Sequence, residues 1–323
     1  MNHSIGIDVG KTELVACIRA SDGKTAIPAP FPNSSIGFKK LIVHFLKNNI
    51  ATDDPILLES TGPYHWKAAR TLTDKGYLVK VANPLHTKQM ARHSIRKRKT
   101  DKVDAGHLAF LASQEYGYRF VETEEMARKK AMVRHYWKLR LTATNHSIHE
   151  RYLKDYRGIA THSISDLILK KCEKLKQEII DEWNVGNDVK YLDSIPGITP
   201  FLAVTILAEL LPLQRFERID QIIAYAGLDP SVKQTGGKKG AHGAISKRGS
   251  PTLREALFLA AFGSFSKQPM KTLYDRYKER GLHHKTILCI LGRKILRIAV
   301  VLLKKRRVFD PKKLSTTKQL TGT

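Results

Sequence analysis

Residues 126–184 contain no proline and a single glycine, Gly158. A stretch of that length without breakers is built for long helices rather than for strands and turns. Ile164, Leu167, Ile168, Leu175 and Ile179 recur mostly on one helical face, with Lys and Glu elsewhere. We read two helices, about 124–155 and 162–184, forming either an antiparallel or an intermolecular coiled coil. Ordinary helix packing within one domain fits the pattern equally well. Trp137, Tyr152 and Tyr156 could stack on bases, although aromatics at helical spacing usually enter a core.

That segment divides the chain. Before it, short apolar runs alternate with amphipathic stretches; after it the pattern is nearly all helical. The 323 residues suffice for two cores. We expect an α/β domain over 1–123, a helical coiled-coil linker over 124–186, a mostly helical domain over 187–310 and a basic tail over 311–323.

The charge narrows the partner. With 56 Lys and Arg against 30 Asp and Glu, the net charge is +26. Basic residues are densest at 92–102, 233–254 and 304–313, which points to a polyanion. Nucleic acid is the first candidate and an anionic membrane surface the weaker one. No apolar run approaches the ~18 residues of a membrane span. Cys17, Cys172 and Cys289 are isolated, without metal-ligand or disulfide spacing. Met1-Asn2-His3-Ser4 leads straight into a strand pattern. Together these suggest a reducing, cytoplasmic protein.

Residues 4–19 read as a β-hairpin. Ile5, Ile7 and Val9 share one face; Gly6, Asp8 and Gly10 share the other. Two neighbours without side chains clear space for a ligand to approach Asp8. Gly10-Lys11-Thr12 is not a P-loop, because position 5 is Ile where that motif needs Gly. The first phosphate loop of actin-like and sugar-kinase ATPases also looks like Gly6–Gly10, but no second such loop follows. A helix over 36–49 and the buried strand Pro55–Glu59 come next; the strand ends in a carboxylate, costly unless a cation receives it. A helix over 64–75, a strand Tyr77–Ala82 and the break at Asn83-Pro84 lead to Arg96-Lys97-Arg98-Lys99-Thr100-Asp101-Lys102-Val103-Asp104. A helix starting near Thr100 puts Asp101 and Asp104 on one face of its first turn. Cations that attract phosphate beside acids that repel it suggest chemistry on a nucleic-acid backbone, with the acids holding metal. The alternative is a solvated charge run whose acids favour a helix N-terminus. Asp8, Glu59 and the Asp101/Asp104 pair come from three separate elements, and an oxygen-rich site made of them suits Mg²⁺ or Mn²⁺.

In the C-terminal half, Leu192–Thr199 followed by Ala203–Ala208 resembles a helix-hairpin-helix that presents backbone N–H groups to phosphate; a plain αα-hairpin gives much the same pattern. A helix then stops at Gly227-Leu228-Asp229-Pro230. The Gly- and Lys-rich loop from Ser231 to Gly249 can approach phosphate through its backbone. Helices over 251–265 and 283–305 follow. Lys102, Lys238, Lys239, Lys247 and Arg248, with Arg96–Lys99, are the candidate nucleic-acid contacts.

Taken together these pieces resemble the DEDD-type insertion-sequence transposases, a family related to Piv-type DNA invertases that includes bridge-RNA-guided recombinases. The resemblance rests on Gly6-Ile7-Asp8, Glu59-Ser60-Thr61-Gly62-Pro63-Tyr64, Asn83-Pro84, Lys99–Ala105, Ser194-Ile195-Pro196-Gly197-Ile198, Ala224–Pro230 and Ile245-Ser246-Lys247-Arg248-Gly249. It covers nearly the whole chain. It implies a RuvC-like, ribonuclease-H-type N-terminal domain in which Asp8, Glu59, Asp101 and Asp104 bind Mg²⁺. It also implies a helical linker that mediates assembly into a dimer or tetramer, DNA donor and target, and a non-coding guide RNA. In that family a Ser in a Ser-Gly pair past the Ala-Gly-Leu-x-Pro segment attacks DNA and forms a covalent link. Here Gln234-Thr235-Gly236 occupies the place. Register from Gly227 assigns the attack to Thr235, with Ser231 and Ser246 as alternative hydroxyls and an inactive copy as a third reading. The competing functions are a RuvC-like nuclease acting through water and a non-enzymatic nucleic-acid-binding protein.

Overall fold

The computed structural model describes residues 3–60, 64–82, 87, 100–159, 163–183, 186–232 and 242–312, with 231–232 and 242–244 by their backbone only. The chain falls into two compact units, Met1–Thr123 and Glu124–Thr323.

The first unit is a mixed sheet between two helical layers. Strands β1 (His3–Val9) and β2 (Glu13–Ala20) form the expected hairpin, and β3 (Ala29–Pro32) continues it antiparallel along β2. Strands β4 (Ile56–Glu59) and β5 (Val79–Ala82) run parallel to β1, and the short β6 (Tyr118–Arg119) closes antiparallel on β5. The order is β3-β2-β1-β4-β5-β6. Helices α1 (Ser35–Lys47) and α2 (Tyr64–Asp74) give their apolar residues to a core with Ile5, Ile7, Phe31 and Leu58. On the other face α3 (Asp101–Ser113) packs Leu108 and Leu111 against Leu57 and Ala82. Ile56, Leu57 and Leu58 are wholly buried because β4 has a helical layer on each side.

Gly6 has a different task from the one its sequence suggests. It lies under α3: a Cβ there would stand 2.1 Å from the Ala109 nitrogen and 2.2 Å from the Ala105 oxygen. The missing side chain admits a helix backbone, not a ligand.

In the second unit, α4 (Glu124–Arg157) and α5 (Ile164–Trp183) form an antiparallel hairpin. Arg128 pairs with Glu182 at 2.9 Å near one end, and at the other Glu150 accepts from the Ile164 nitrogen at 2.8 Å and the Ser165 hydroxyl at 2.7 Å. Val133, Tyr136, Cys172 and Ile179 of this hairpin share one buried core with the helices that follow. Trp137 packs on that core and donates to the Thr205 hydroxyl at 3.3 Å. Tyr152 and Tyr156 instead stay exposed and stack on each other at 5.3 Å.

The following elements are α6 (Asn187–Asp193), α7 (Pro200–Leu210), α8 (Ile219–Ala226), the two-stranded β7 (Pro230–Val232) and β8 (His242–Ile245), α9 (Pro251–Ser264), α10 (Met270–Glu279) and α11 (His284–Lys305). The Pro196-Gly197 turn between α6 and α7 faces inward. A Cβ at Gly197 (φ +89°) would come within 2.4 Å of the Ala260 oxygen, so the turn docks on α9 instead of offering its glycine to phosphate. Of the two readings of this segment, the packing favours the plain αα-hairpin.

Candidate active site

Three elements bring the N-terminal acids together. Parallel pairing sets Ile7 opposite Leu58, so the next residues, Asp8 and Glu59, leave the sheet side by side. They share the α3 face with Gly6 and Leu57. Thr100 caps α3, its hydroxyl accepting from the Val103 nitrogen at 3.3 Å. The first turn then carries Asp101 and Asp104, one turn or less before the Ala105 oxygen that touches Gly6. The tight Gly6 contact therefore fixes how far α3 stands from the β1 end that holds Asp8.

The electrostatics follow. Asp8 is half-buried, and its carboxyl is pushed up to about 6, first by burial and then by the charges of Asp101, Asp104 and Glu59. Glu59 also accepts a hydrogen bond from Thr87 at 3.1 Å. The charges acting on Asp8 do not amount to a finished cage: among the described residues, no three His, Cys, Asp or Glu side chains stand at metal-holding spacing. The donor set is nevertheless one for a hard cation: carboxylates only, like-charged and partly desolvated around Asp8.

Lys102 is exposed beside Asp101, and Lys247 and Arg248 are exposed just after β8. Arg96, Lys97, Arg98, Lys99, Thr235, Lys238 and Lys239 lie outside the described residues. The two ends of the segment holding Thr235 are clamped. The Ser246 nitrogen donates to the Asp229 oxygen at 2.8 Å and the Lys247 nitrogen to the Gly227 oxygen at 3.1 Å. The Ser246 hydroxyl donates to Asp229 Oδ1 at 2.5 Å.

A polar group that sequence reading passed over lies behind this clamp. Residues 201–210 of α7 are all buried, and Glu209 is the one charged group among them. Its oxygens receive Arg134 at 2.6 and 2.9 Å and the Tyr225 hydroxyl at 2.8 Å. Arg215 donates to its backbone oxygen and lies 4.5 Å over both the Phe216 and Tyr225 rings. Burial alone would raise the Glu209 carboxyl, but Arg134, Lys130 and Tyr225 outweigh it and hold it at about 2. Burial in turn pushes the Tyr225 phenol up to about 12. A lone acid in the run Phe201–Leu210 was the available signal.

Fold and site together define an α/β domain that carries the acids of the candidate site, joined in one chain to a basic helical domain, a combination suited to nucleic-acid chemistry. Residues 5–151 match a family described as "Transposase", of the IS110 type, and residues 189–275 match the "Transposase IS116/IS110/IS902 family". The chain belongs to this family of transposases and recombinases. It is 27% identical to the pilin gene-inverting protein of Moraxella bovis over 314 residues, 95% of this chain and 97% of that one. The pilin gene-inverting protein of Moraxella lacunata matches with the same identity and coverage. An uncharacterised protein of insertion element IS110 from Streptomyces coelicolor is 31% identical over 115 residues, 35% of this chain and 28% of its own length. Among the described residues no helix is long and apolar enough to cross a membrane.

Proposed function

We propose that this transposase breaks and rejoins DNA strands through a covalent protein–DNA intermediate, with Asp8, Glu59, Asp101 and Asp104 as the metal-binding acids and Thr235 as the nucleophile. The observation that carries the reading is the convergence of three carboxylate charges on a half-buried Asp8. Four such acids repel unless a divalent cation lies among them, and Mg²⁺ or Mn²⁺ fits an all-carboxylate site. Bound there, the ion would stabilise charge developing on phosphate oxygens. The order of the sheet, an antiparallel β1–β3 meander followed by parallel β4 and β5, supports a RuvC-like, ribonuclease-H-type domain.

In the cleavage step the Thr235 hydroxyl attacks phosphorus, a P–O bond to the departing strand breaks, and the threonine proton ends on the released DNA hydroxyl. Attack by a DNA hydroxyl on the threonyl phosphodiester restores the chain. An unactivated hydroxyl is a poor nucleophile, so the attack requires a base to take the threonine proton. The α4–α5 hairpin serves as the coiled-coil linker through which copies assemble into a dimer or tetramer, and a non-coding RNA selects donor and target. Lys102, Lys247 and Arg248, with Arg96–Lys99, Lys238 and Lys239, hold the polynucleotides. Action on DNA places the protein in the cytoplasm, at the nucleoid.

The test is to trap denaturation-resistant protein–DNA adducts with Mg²⁺ present. Asp8→Asn and Thr235→Ala should each abolish them. Adducts that persist in Thr235→Ala overturn the nucleophile; cleavage with free ends and no adduct points to a nuclease in which water attacks. Sequencing RNA that co-purifies with the protein tests the guide: random transcripts would remove it.

A further inference from the structure

Helix α11 presents three half-buried cations, Arg293, Lys294 and Arg297, within little more than one helical turn. Arg293 and Arg297, four apart, share a face with Cys289. Half-buried charges are costly without a counter-charge. Every Asp and Glu of the chain is among the described residues, and none forms an ion pair with these three. Lys294 is accordingly held below the ordinary lysine range, first by burial and then by Arg297.

Two more cations reach the same place from other elements. Helix α11 meets α9 closely at Gly292, where a Cβ would lie 3.3 Å from the Leu257 oxygen. Arg254, one turn earlier on α9, donates to the Ala226 oxygen at 3.2 Å, and its guanidinium shares the space over Gly227 with the Lys247-Arg248 backbone. Lys247 is held at φ +54°, a left-handed conformation that a side chain adopts only when its surroundings impose it. The Cys289 thiol, raised by burial, is drawn back by the charges of Arg293 on its own helix, Lys247 after β8 and Arg254 on α9. Asp229, the acid beside this turn, accepts the Ser246 hydroxyl and forms no ion pair with these cations.

We propose that Arg293 and Arg297, completed by Arg254 and Lys247, form a seat for backbone phosphates of the DNA strand that is cut. Three cations from three elements act on one thiol, Arg297 follows one turn further along α11, and none of the four pairs with a carboxylate; such a group suits phosphodiester oxygens, which guanidinium forks bind at two points. The choice of DNA rests on the proposed function: the seat adjoins the clamp that closes the segment carrying Thr235. Phosphate contacts position a strand without reading its sequence, so the seat serves any target.

The experiment measures fluorescence anisotropy of an arbitrary DNA duplex and of single-stranded RNA across a salt series, using the full chain. Each lost phosphate contact lowers the slope of log K against log salt by about 0.9 on duplex DNA. Arg293→Gln/Arg297→Gln should flatten the DNA slope by about 1 to 2 and leave the RNA slope in place; Arg293→Lys/Arg297→Lys should restore it. If the Gln pair fails to fold, Lys247→Gln alone, at an exposed position, should flatten the slope by about 1. Unchanged DNA slopes overturn the seat, and a change confined to RNA overturns its assignment to DNA. Adduct trapping with Thr235→Ala reads the nucleophile separately: slopes that stay flat-resistant while adducts remain Thr235-dependent sink the seat alone.

Discussion

Arg134 and Glu209, 75 residues apart in the chain, meet through two hydrogen bonds of 2.6 and 2.9 Å. Glu209 is fully buried, whereas the Arg134 side chain keeps about half of its surface. The pair fastens the long α4 to α7, and Tyr225 extends it to α8. The backbone oxygen of Tyr225 in turn accepts from the Ser250 nitrogen at 2.7 Å, at the start of α9. One acid thus ties the hairpin helix to the frame of the segment that holds Thr235.

Glu209→Gln should destabilise the protein by about 2–3 kcal/mol, toward the lower end for a broken buried pair because water partly screens Arg134. Urea denaturation checks this. The pH dependence has a definite sign. A carboxyl held at about 2, against an ordinary 4.5, stabilises the fold above 4.5, and that contribution is lost as pH falls from 4.5 toward 2. Glu209→Gln should flatten the urea midpoint in that window; a midpoint falling as steeply as in the wild type would refute the assignment.

Asp8 has the opposite sign. Its folded carboxyl titrates near 6 rather than 3.8, so the native state binds the proton more tightly and loses stability as pH rises between those values. In chelator, the melting temperature should climb on lowering pH from 7 toward 5, and Asp8→Asn should melt higher than wild type at pH 7. Mg²⁺ should raise the wild-type melting temperature and leave that of Asp8→Asn nearly unmoved. Equal Mg²⁺ effects on both proteins would count against a metal at Asp8.

Gly6→Val should be among the most damaging single changes in the first unit. Its side chain would enter the backbone of α3 at Ala105 and Ala109. We expect a loss of about 3 kcal/mol or more, read by thermal denaturation. Raising the stability with added osmolyte should not restore strand exchange, because α3 carries Asp101 and Asp104 away from Asp8 as it lifts.

Ser246→Ala separates two roles for that hydroxyl. As a clamp on Asp229, its removal should lower the yield of trapped adduct severalfold without abolishing it. Abolition here, with adducts persisting in Thr235→Ala, would make Ser246 the nucleophile. Asp229→Asn should behave like the clamp variant.

Much of the first unit was legible because its signals are local. Alternation in Ile5–Val9, the buried run Ile56–Leu58 and the Thr100 cap each carry their own periodicity or capping chemistry. The edge strands β3 and β6 were not seen, since two to four residues held by neighbours have no period of their own. The helical hairpin followed from the missing breakers in 126–184, but its share in the C-terminal core did not: Val133 and Cys172 look alike whether they face each other or a third helix. Tyr152 and Tyr156 followed the helical period and still remained outside.

The sequence by itself determined most of the elements and the family, and raised the expectation of a four-acid site and a polyanionic partner, since hydropathy period, capping residues and net charge act over a few residues or over the whole composition. Only the tertiary structure decided that Gly6 makes room for α3, that Pro196-Gly197 turns inward, that Glu209 finds Arg134, and that the Arg254 guanidinium meets the Lys247-Arg248 backbone over Gly227. Those are contacts between residues tens of positions apart. Which distant backbone arrives, and at what distance, depends on the packing of the entire unit, and no short stretch of chain encodes it.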